Sequence, residues 1–182
     1  DHIYADFNYM HTNDLGCMEF SGRYPDNLHE EINNYSIVAG VVARQQQFDI
    51  IHSHDWLTYP AGIHAKQISG KPLVIHCVKA FNELIELKKK YRPQMPWVVH
   101  GFRNNLHIAC RLMQENIYFS LGERYQPDVL RHVPLECLLA ETDESTQDIR
   151  MVIGRMAETK NVEVSFLCDR IDENARKIFF RQ

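Results

Sequence analysis

Residues 69–77 read SGKPLVIHC, a short stretch that decides the predicted fold. Gly70 and Pro72 are typical of a turn that leads into a strand. The next three residues are apolar without polar alternation, which is typical of a strand covered on both faces of a parallel sheet. His76 and Cys77 follow, so the predicted strand ends in two side chains suited to metal-binding or acid–base chemistry.

The same pattern recurs along the chain at roughly regular intervals. The other predicted strands are residues 48–54 (FDIIHSH), 96–102 (PWVVHGF), 117–122 (IYFSLG) and 137–143 (CLLAETD). Helical periodicity separates them, which indicates βα units. We therefore predict an α/β fold with a mostly parallel sheet of five or six strands flanked by helices, either an open doubly wound sheet or an incomplete barrel.

Apolar stripes at helical spacing predict the helices. A long helix is predicted over residues 27–47, with Asn27 and Glu30 in capping-box positions. Further apolar stripes predict helices over residues 81–88, 106–113, 149–156 and 164–178. Residues 1–25 contain aromatics and turn residues without periodicity, and they are predicted to form either an extended loop with one strand near residues 3–7 or an insertion.

Composition narrows the class of protein. A chain of 182 residues with 45% apolar content can build a core, and we predict a single α/β domain over residues 1–182. The formal charge of −4 excludes a globally basic surface for nucleic acid. The five cysteines are scattered without a CxxC pair, which is typical of reduced thiols in the cytoplasm. No apolar run is long enough to predict a membrane span or a leader.

Polar groups end four of the five predicted strands. Because the carboxyl ends of parallel strands meet at one edge of a sheet, these side chains are expected to lie together. Imidazole and carboxylate groups suit zinc, manganese or magnesium, which activate water and polarise phosphoryl oxygens. The alternative is that each histidine is a hydrogen-bonded structural group. The candidates are His52, His54, His76, His100, Glu141 and Asp143.

Two further residues, Arg103 and Cys77, lie close to these histidines in the sequence. Arg103 follows His100 in HGFRNN and is placed to bind a phosphate, although a surface arginine without such a role is the default interpretation. Cys77 next to His76 would suggest a thiol nucleophile with its base. Adjacent strand residues point to opposite faces, so we predict a structural thiol instead.

Residues from about 70 to 182 resemble the carboxyl-terminal half of the TatD family of metal-dependent deoxyribonucleases. The motifs that support this resemblance are KPLVIHC, PWVVHGFRNN, YFSLGERYQPDVL, LLAETDES and DENARKIF. The resemblance implies a (βα) barrel and a one- or two-metal site that hydrolyses phosphodiesters, with His76, His100 and Asp143 as ligands. The family's amino-terminal HxH strand and its ligand glutamate in a GE context are missing from their places, although His52-Ser-His54 imitates the HxH motif.

Residues from about 17 to 76 are similar to the amino-terminal Rossmann-like domain of glycosyltransferases of the glycogen/starch synthase type, with HDWLTYPAGI as the most specific element. The two resemblances meet in residues 69–77. They predict a hybrid in which a Rossmann-like fragment, residues 1–70, continues into a partial TIM-type (βα) half-barrel, residues 71–182.

Three hypotheses for the function remain open. The first is a metal-dependent hydrolase of DNA or a small phosphodiester, with metal at His76, His100 and Asp143 and with His52 and His54 as further candidate ligands. Arg103 would then steady substrate charge, and Glu141 would orient a ligand. The second is an engineered or recombined chimera without activity. The third is a sugar-nucleotide-binding fragment. The open edges of an incomplete barrel also predict pairing with a second copy.

Overall fold

A computed structural model describes residues 28–91 and 96–180 of the chain. Within these ranges, one parallel sheet of five strands forms the centre of the fold, and its strands lie side by side in chain order. The strands are β1 (Ile51–His54), β2 (Leu73–His76), β3 (Trp97–His100), β4 (Tyr118–Leu121) and β5 (Leu138–Ala140). The strand predicted near residues 3–7 and the capping residue Asn27 lie outside the described residues.

The five strands predicted from the apolar runs are confirmed, each shorter than its run. The Rossmann-like amino-terminal part is not confirmed. A doubly wound sheet reverses its strand order at a switch point, whereas the described strands follow one another without a reversal. Sequential parallel strands are the order found in a (βα) barrel, so the sheet agrees with the barrel expectation.

Helices connect the strands and extend the fold at both ends. They are α1 (Leu28–Gln45), α2 (Tyr59–Ser69), α3 (Phe81–Tyr91), α4 (Leu106–Gln114), α5 (Pro127–His132), α6 (Ile149–Lys160) and α7 (Val164–Phe179), with short 3-10 turns at Trp56–Thr58 and Leu135–Cys137. The sequence predicted each of these α-helices except α2 and α5, and it did not predict the two 3-10 turns. Helix α2 is buried around most of its circumference, so it has no polar face, and α5 is too short to show a period.

The two faces of the sheet have different covers. Leu73, Trp97 and Phe119 point to the face that carries the connecting helices, and they belong to the main apolar core. Val98 and Tyr118 point to the opposite face, where Ile178 of α7 packs against them. Helix α7 packs against residues that precede the carboxyl ends of the strands on this second face. The carboxyl ends themselves are therefore left for polar side chains.

Helix α2 packs closely on the sheet at Gly62. A side chain at this position would clash with Ser53 Oγ, and its Cβ would lie 3.1 Å from Leu73 Cδ1 and 3.2 Å from Ser53 Cβ. Both neighbours are buried in strands, so neither can move without disturbing β1 or β2. The absence of a Cβ therefore sets the distance between α2 and the strands that begin the sheet.

We expect Gly62→Ala to lower the free energy of unfolding by about 1–3 kcal/mol, because it overpacks this contact. Chemical denaturation monitored by circular dichroism measures the change. Gly154→Ala in α6 is the matched control, since a Cβ there meets nothing within 4 Å. The control is expected to be neutral or to stabilise by about 0.5–1 kcal/mol through helix propensity. Equal stability of the Gly62→Ala variant and the unmodified chain would contradict the close-packing interpretation.

Candidate functional site

The register of the sheet aligns four polar side chains in one row. His54 of β1 pairs with His76 of β2, His76 with His100 of β3, and His100 with Ser120 of β4. Residues that pair across parallel strands point to the same face. This row lies on the face opposite the connecting helices, and His52, two residues before His54, points to the same side.

The four imidazole rings are in mutual contact. The centroids of His52 and His54 are 4.2 Å apart, and those of His52 and His100 are 4.6 Å apart. His76 lies 4.9 Å from His100 and 5.5 Å from His54. Within this group, His76 Nδ1 is 3.2 Å from His100 Nε2, a hydrogen bond whose direction depends on which ring carries the proton. The histidine cluster, defined as His52, His54, His76 and His100, is therefore a single group of ring nitrogens.

Crowding lowers the pKa of two of these rings. Partial burial and the neighbouring rings, His100 first among them, lower the pKa of His52 to about 4. Burial and then the proximity of His100 also lower the pKa of His76 below its usual value. A neutral imidazole has a free lone pair, which is the form that binds a metal ion.

Glu141 and Asp143 bring carboxylates to the same place from the end of β5. Glu141 Oε1 lies 3.7 Å from His100 Nδ1 and accepts a hydrogen bond of 2.7 Å from the Gly101 amide. Its Oε2 accepts a hydrogen bond from the Ser120 hydroxyl. The carboxylate raises the pKa of His100 above its usual value, against the opposing effect of burial. Asp143, with a left-handed φ of 49°, is exposed beside them.

This donor set fits a divalent cation. One ligand atom each from His100, Glu141 and Asp143 lies within 4.8 Å of the others. Mixed imidazole and carboxylate ligands suit zinc and manganese, and they also occur with other divalent first-row metals. The ring of His76 extends the group through its contact with His100. The chemistry of the residues present is therefore that of a metal centre.

A groove of about 950 Å³ opens beside the histidine cluster. Its lining includes His76, Asp143 and Arg103. Arg103 is exposed, and it is the one arginine or lysine of this lining, which also contains Asp128 and Glu144. The groove therefore joins a metal-type donor group to a single cationic side chain.

The structure places the predicted ligands along one edge of the sheet but joins only some of them in one donor group. His100 and Asp143 belong to the group whose donor atoms lie within 4.8 Å of one another. His52, His54 and His76 lie beside His100 through ring contacts and fall outside that group. Arg103 lines the adjoining groove. Cys77 points the other way into the core, and burial raises the pKa of its thiol, which agrees with a structural role.

Two contributors were not found from the sequence. Ser120 is the polar residue of the otherwise apolar run IYFSLG, and it completes the row that begins at His54. That single polar position was the available signal. Gly101, with a φ of 62°, donates its amide to Glu141, and only the positive φ explains why a glycine follows His100.

Comparison with known proteins gives a consistent set of similarities. A family model described as TatD related DNase matches residues 63–180. Deoxyribonuclease Tat-D of Schizosaccharomyces pombe is 31% identical over 86 residues, 43% of this chain and 28% of that protein. The 3'-5' ssDNA/RNA exonuclease TatD of Pectobacterium atrosepticum is 29% identical over 134 residues, 59% of this chain and 52% of that protein. The chain thus spans about half or less of the length of these relatives.

A solved structure extends the likeness at the level of the fold. The TatD homologue YJJV of Escherichia coli K12 matches 81% of this chain and 70% of its own, with a TM-score of 0.64 and 18% identity. The glycosyltransferase-like part and the chimeric origin suggested by residues 17–76 receive no support from the comparisons. In the described part of the chain, no helix combines the length and apolar character needed to cross a bilayer.

The crowding of the histidine cluster predicts a specific titration. In the metal-free protein, His52 is expected to show little change in its ring proton shifts between about pH 5 and pH 7, because its pKa is lowered to about 4. His100→Ala removes a covering ring and a like charge, so the His52 pKa is expected to rise toward its usual value and the shifts to move in that range. Nuclear magnetic resonance measures both.

His107→Ala is the control, since His107 is an exposed residue of α4, outside the cluster. It is expected to leave the His52 shifts unchanged. An ordinary titration of His52 in the unmodified chain would mean that the four rings do not converge.

Proposed function

The chain belongs to the TatD related DNase family, and from this premise we propose that it is a metal-dependent hydrolase of phosphodiester bonds in nucleic acid. The family model matches well over half of the chain and includes strands β2 to β5. The activity is a proposal because the chain spans only part of the curated relatives.

One observation supports this proposal above the others. Imidazole rings from three neighbouring strands and two carboxylates from the end of a fourth lie together at the carboxyl edge of a parallel sheet. Structural histidines scattered on a surface would not share this face, and a purely structural cluster would not border an open groove. The combination is that of a hydrolytic metal centre.

We assign the following roles within the proposal. His76, His100 and Asp143 hold a divalent cation, which is zinc, manganese or magnesium. Asp143 is also assigned the catalytic role. His52 and His54 add imidazoles from β1, the strand next to His76. A bound cation of this kind supplies Lewis acidity and lowers the pKa of a water molecule. The ligand residues fix the position of the reacting groups beside the groove.

Arg103 is proposed to bind the substrate backbone. It lies on the groove wall, exposed, and three positions after His100, so a phosphate in the groove can meet both its guanidinium and the metal-type group. A guanidinium fork pairs with two phosphate oxygens at once. The net charge of −4 makes such local contacts the main source of attraction for a polyanion.

Two further expectations from the sequence remain predictions. Pairing with a second copy is consistent with β1 and β5, each of which pairs with only one strand among the described residues. Cytoplasmic location is consistent with the free cysteines Cys77, Cys110, Cys137 and Cys168. A sugar-nucleotide-binding role has no supporting observation and is not proposed.

The proposal predicts metal-dependent cleavage of labelled single- and double-stranded oligodeoxynucleotides by chelator-treated protein supplied with Mn²⁺ or Zn²⁺. His100→Ala and Asp143→Asn are each expected to lower the rate at least about 100-fold, because each removes a metal ligand. Arg103→Ala is expected to raise KM more than it lowers kcat. Gel electrophoresis of the products over time measures the rates.

His107→Ala is the control for the loss of a histidine outside the site and is expected to keep the full rate. Cleavage that persists in both the His100→Ala and the Asp143→Asn variants would identify a contaminating nuclease. Folded protein that shows neither metal-dependent cleavage nor a metal-dependent rise in melting temperature would refute the proposed function and leave the inactive hypothesis.

A further inference from the structure

We propose that Glu141, although its carboxylate lies within reach of the same cation as His100 and Asp143, is a positioning residue rather than a metal ligand. It holds the His100 ring with Nδ1 toward its carboxylate, and it fixes the backbone at Gly101, where the segment that leads to Arg103 begins. The inference rests on the proposed function only for what the site binds. The contacts of Glu141 themselves belong to the chain without any ligand.

Both oxygens of Glu141 already have partners from other strands. Oε1 accepts the Gly101 amide at 2.7 Å, and Oε2 accepts the Ser120 hydroxyl. Gly101 follows the end of β3, Ser120 lies in β4, and Glu141 follows β5. One carboxylate therefore connects the ends of three adjacent strands. By contrast, Asp143 is exposed at the end of the same segment, where an incoming cation can reach it.

The location of Glu141 determines which nitrogen of His100 faces the metal group. His100 Nδ1 lies 3.7 Å from Glu141 Oε1, and the side chains of His100 and Glu141 are only 11% and 16% exposed. An unpaired lone pair facing a half-buried carboxylate would be repelled, so Nδ1 carries the hydrogen. Nε2 then keeps its lone pair, which accepts a hydrogen bond of 3.2 Å from His76 Nδ1 when no cation is bound.

The bond to Gly101 extends the effect of Glu141 to the groove. Gly101 has a left-handed φ of 62°, a conformation that glycine adopts at little cost but that does not hold itself in place. The hydrogen bond to Glu141 Oε1 holds it. The chain then continues through Phe102, which is buried, to Arg103 on the groove wall. Glu141 thus fixes the start of the segment that carries Arg103 as well as the orientation of His100.

The first test measures the His100 tautomer in metal-free protein at a pH above the end of the ring's titration, where the ring is neutral. Long-range nitrogen–proton correlation spectra distinguish the two ring nitrogens. The unmodified chain is expected to show His100 with the hydrogen on Nδ1. Glu141→Gln preserves the size of the side chain and can still accept the Gly101 amide, but it removes the charge. We expect this variant to shift His100 to a mixture of tautomers.

The second test measures the affinity for Zn²⁺ by titration calorimetry. Glu141→Gln is expected to weaken binding about 10–100-fold, the range typical of residues that orient a ligand. Ser120→Ala is expected to weaken zinc binding in the same direction, because losing the Ser120 bond loosens the carboxylate. The His100 tautomer, and not this affinity, decides whether Glu141 orients the ring.

Glu123→Gln is the matched control for the loss of one carboxylate, since Glu123 is half-buried just after β4 and pairs with Arg124. It is expected to change neither the tautomer nor the zinc affinity. Circular dichroism confirms that each variant is folded, and Ser120→Ala is the second variant should Glu141→Gln fail to fold.

An Nε2-protonated His100 in the unmodified chain would overturn the inference. Failure of the unmodified chain to bind any divalent cation would refute the proposed function instead. The tautomer measurement would still decide the role of Glu141 in that case.

Discussion

The register between parallel strands is the constraint on which the candidate site depends. His54, His76, His100 and Ser120 are dispersed along the sequence, and they form one row only because each pairs with the next across β1 to β4. A slip of one residue in any strand would turn its side chain to the helix-covered face. The apolar residues between these positions prevent such a slip, because it would expose them on the polar side of the sheet.

The division of the sheet into two faces explains why polar groups are tolerated so close to the core. Residues such as Leu73, Trp97 and Phe119 are fully covered by the connecting helices, which makes their face the main source of hydrophobic stabilisation. Ile178 of α7 covers the opposite face before the strands reach their carboxyl ends, and those carboxyl ends stay accessible. Stability and the donor group therefore use alternate residues of the same short strands.

The pKa values of the histidines at the accessible edge are shifted in opposite directions. Crowding lowers the pKa values of His52 and His76, whereas Glu141 raises that of His100. The cluster thus contains neutral rings with free lone pairs next to a ring that is polarised by a carboxylate. Asp143, by contrast, is exposed and lines the groove.

Much of this arrangement was predictable from local patterns. The apolar runs predicted all five described strands, and the histidines and acidic residues at their ends predicted the candidate site, because strand formation and side-chain chemistry depend on neighbouring residues. Such patterns did not predict α2, because this helix is buried on most sides and has no polar face. The Rossmann-like part suggested by residues 17–76 is not confirmed by the strand order.

The sequence by itself determined which residues could act and on which strands they lie. Only the tertiary structure decided that Glu141 meets Gly101 and Ser120, and that the rings of His52 and His100 touch. These partners are far apart in the chain, so their contact depends on strand order and register, which no local pattern specifies.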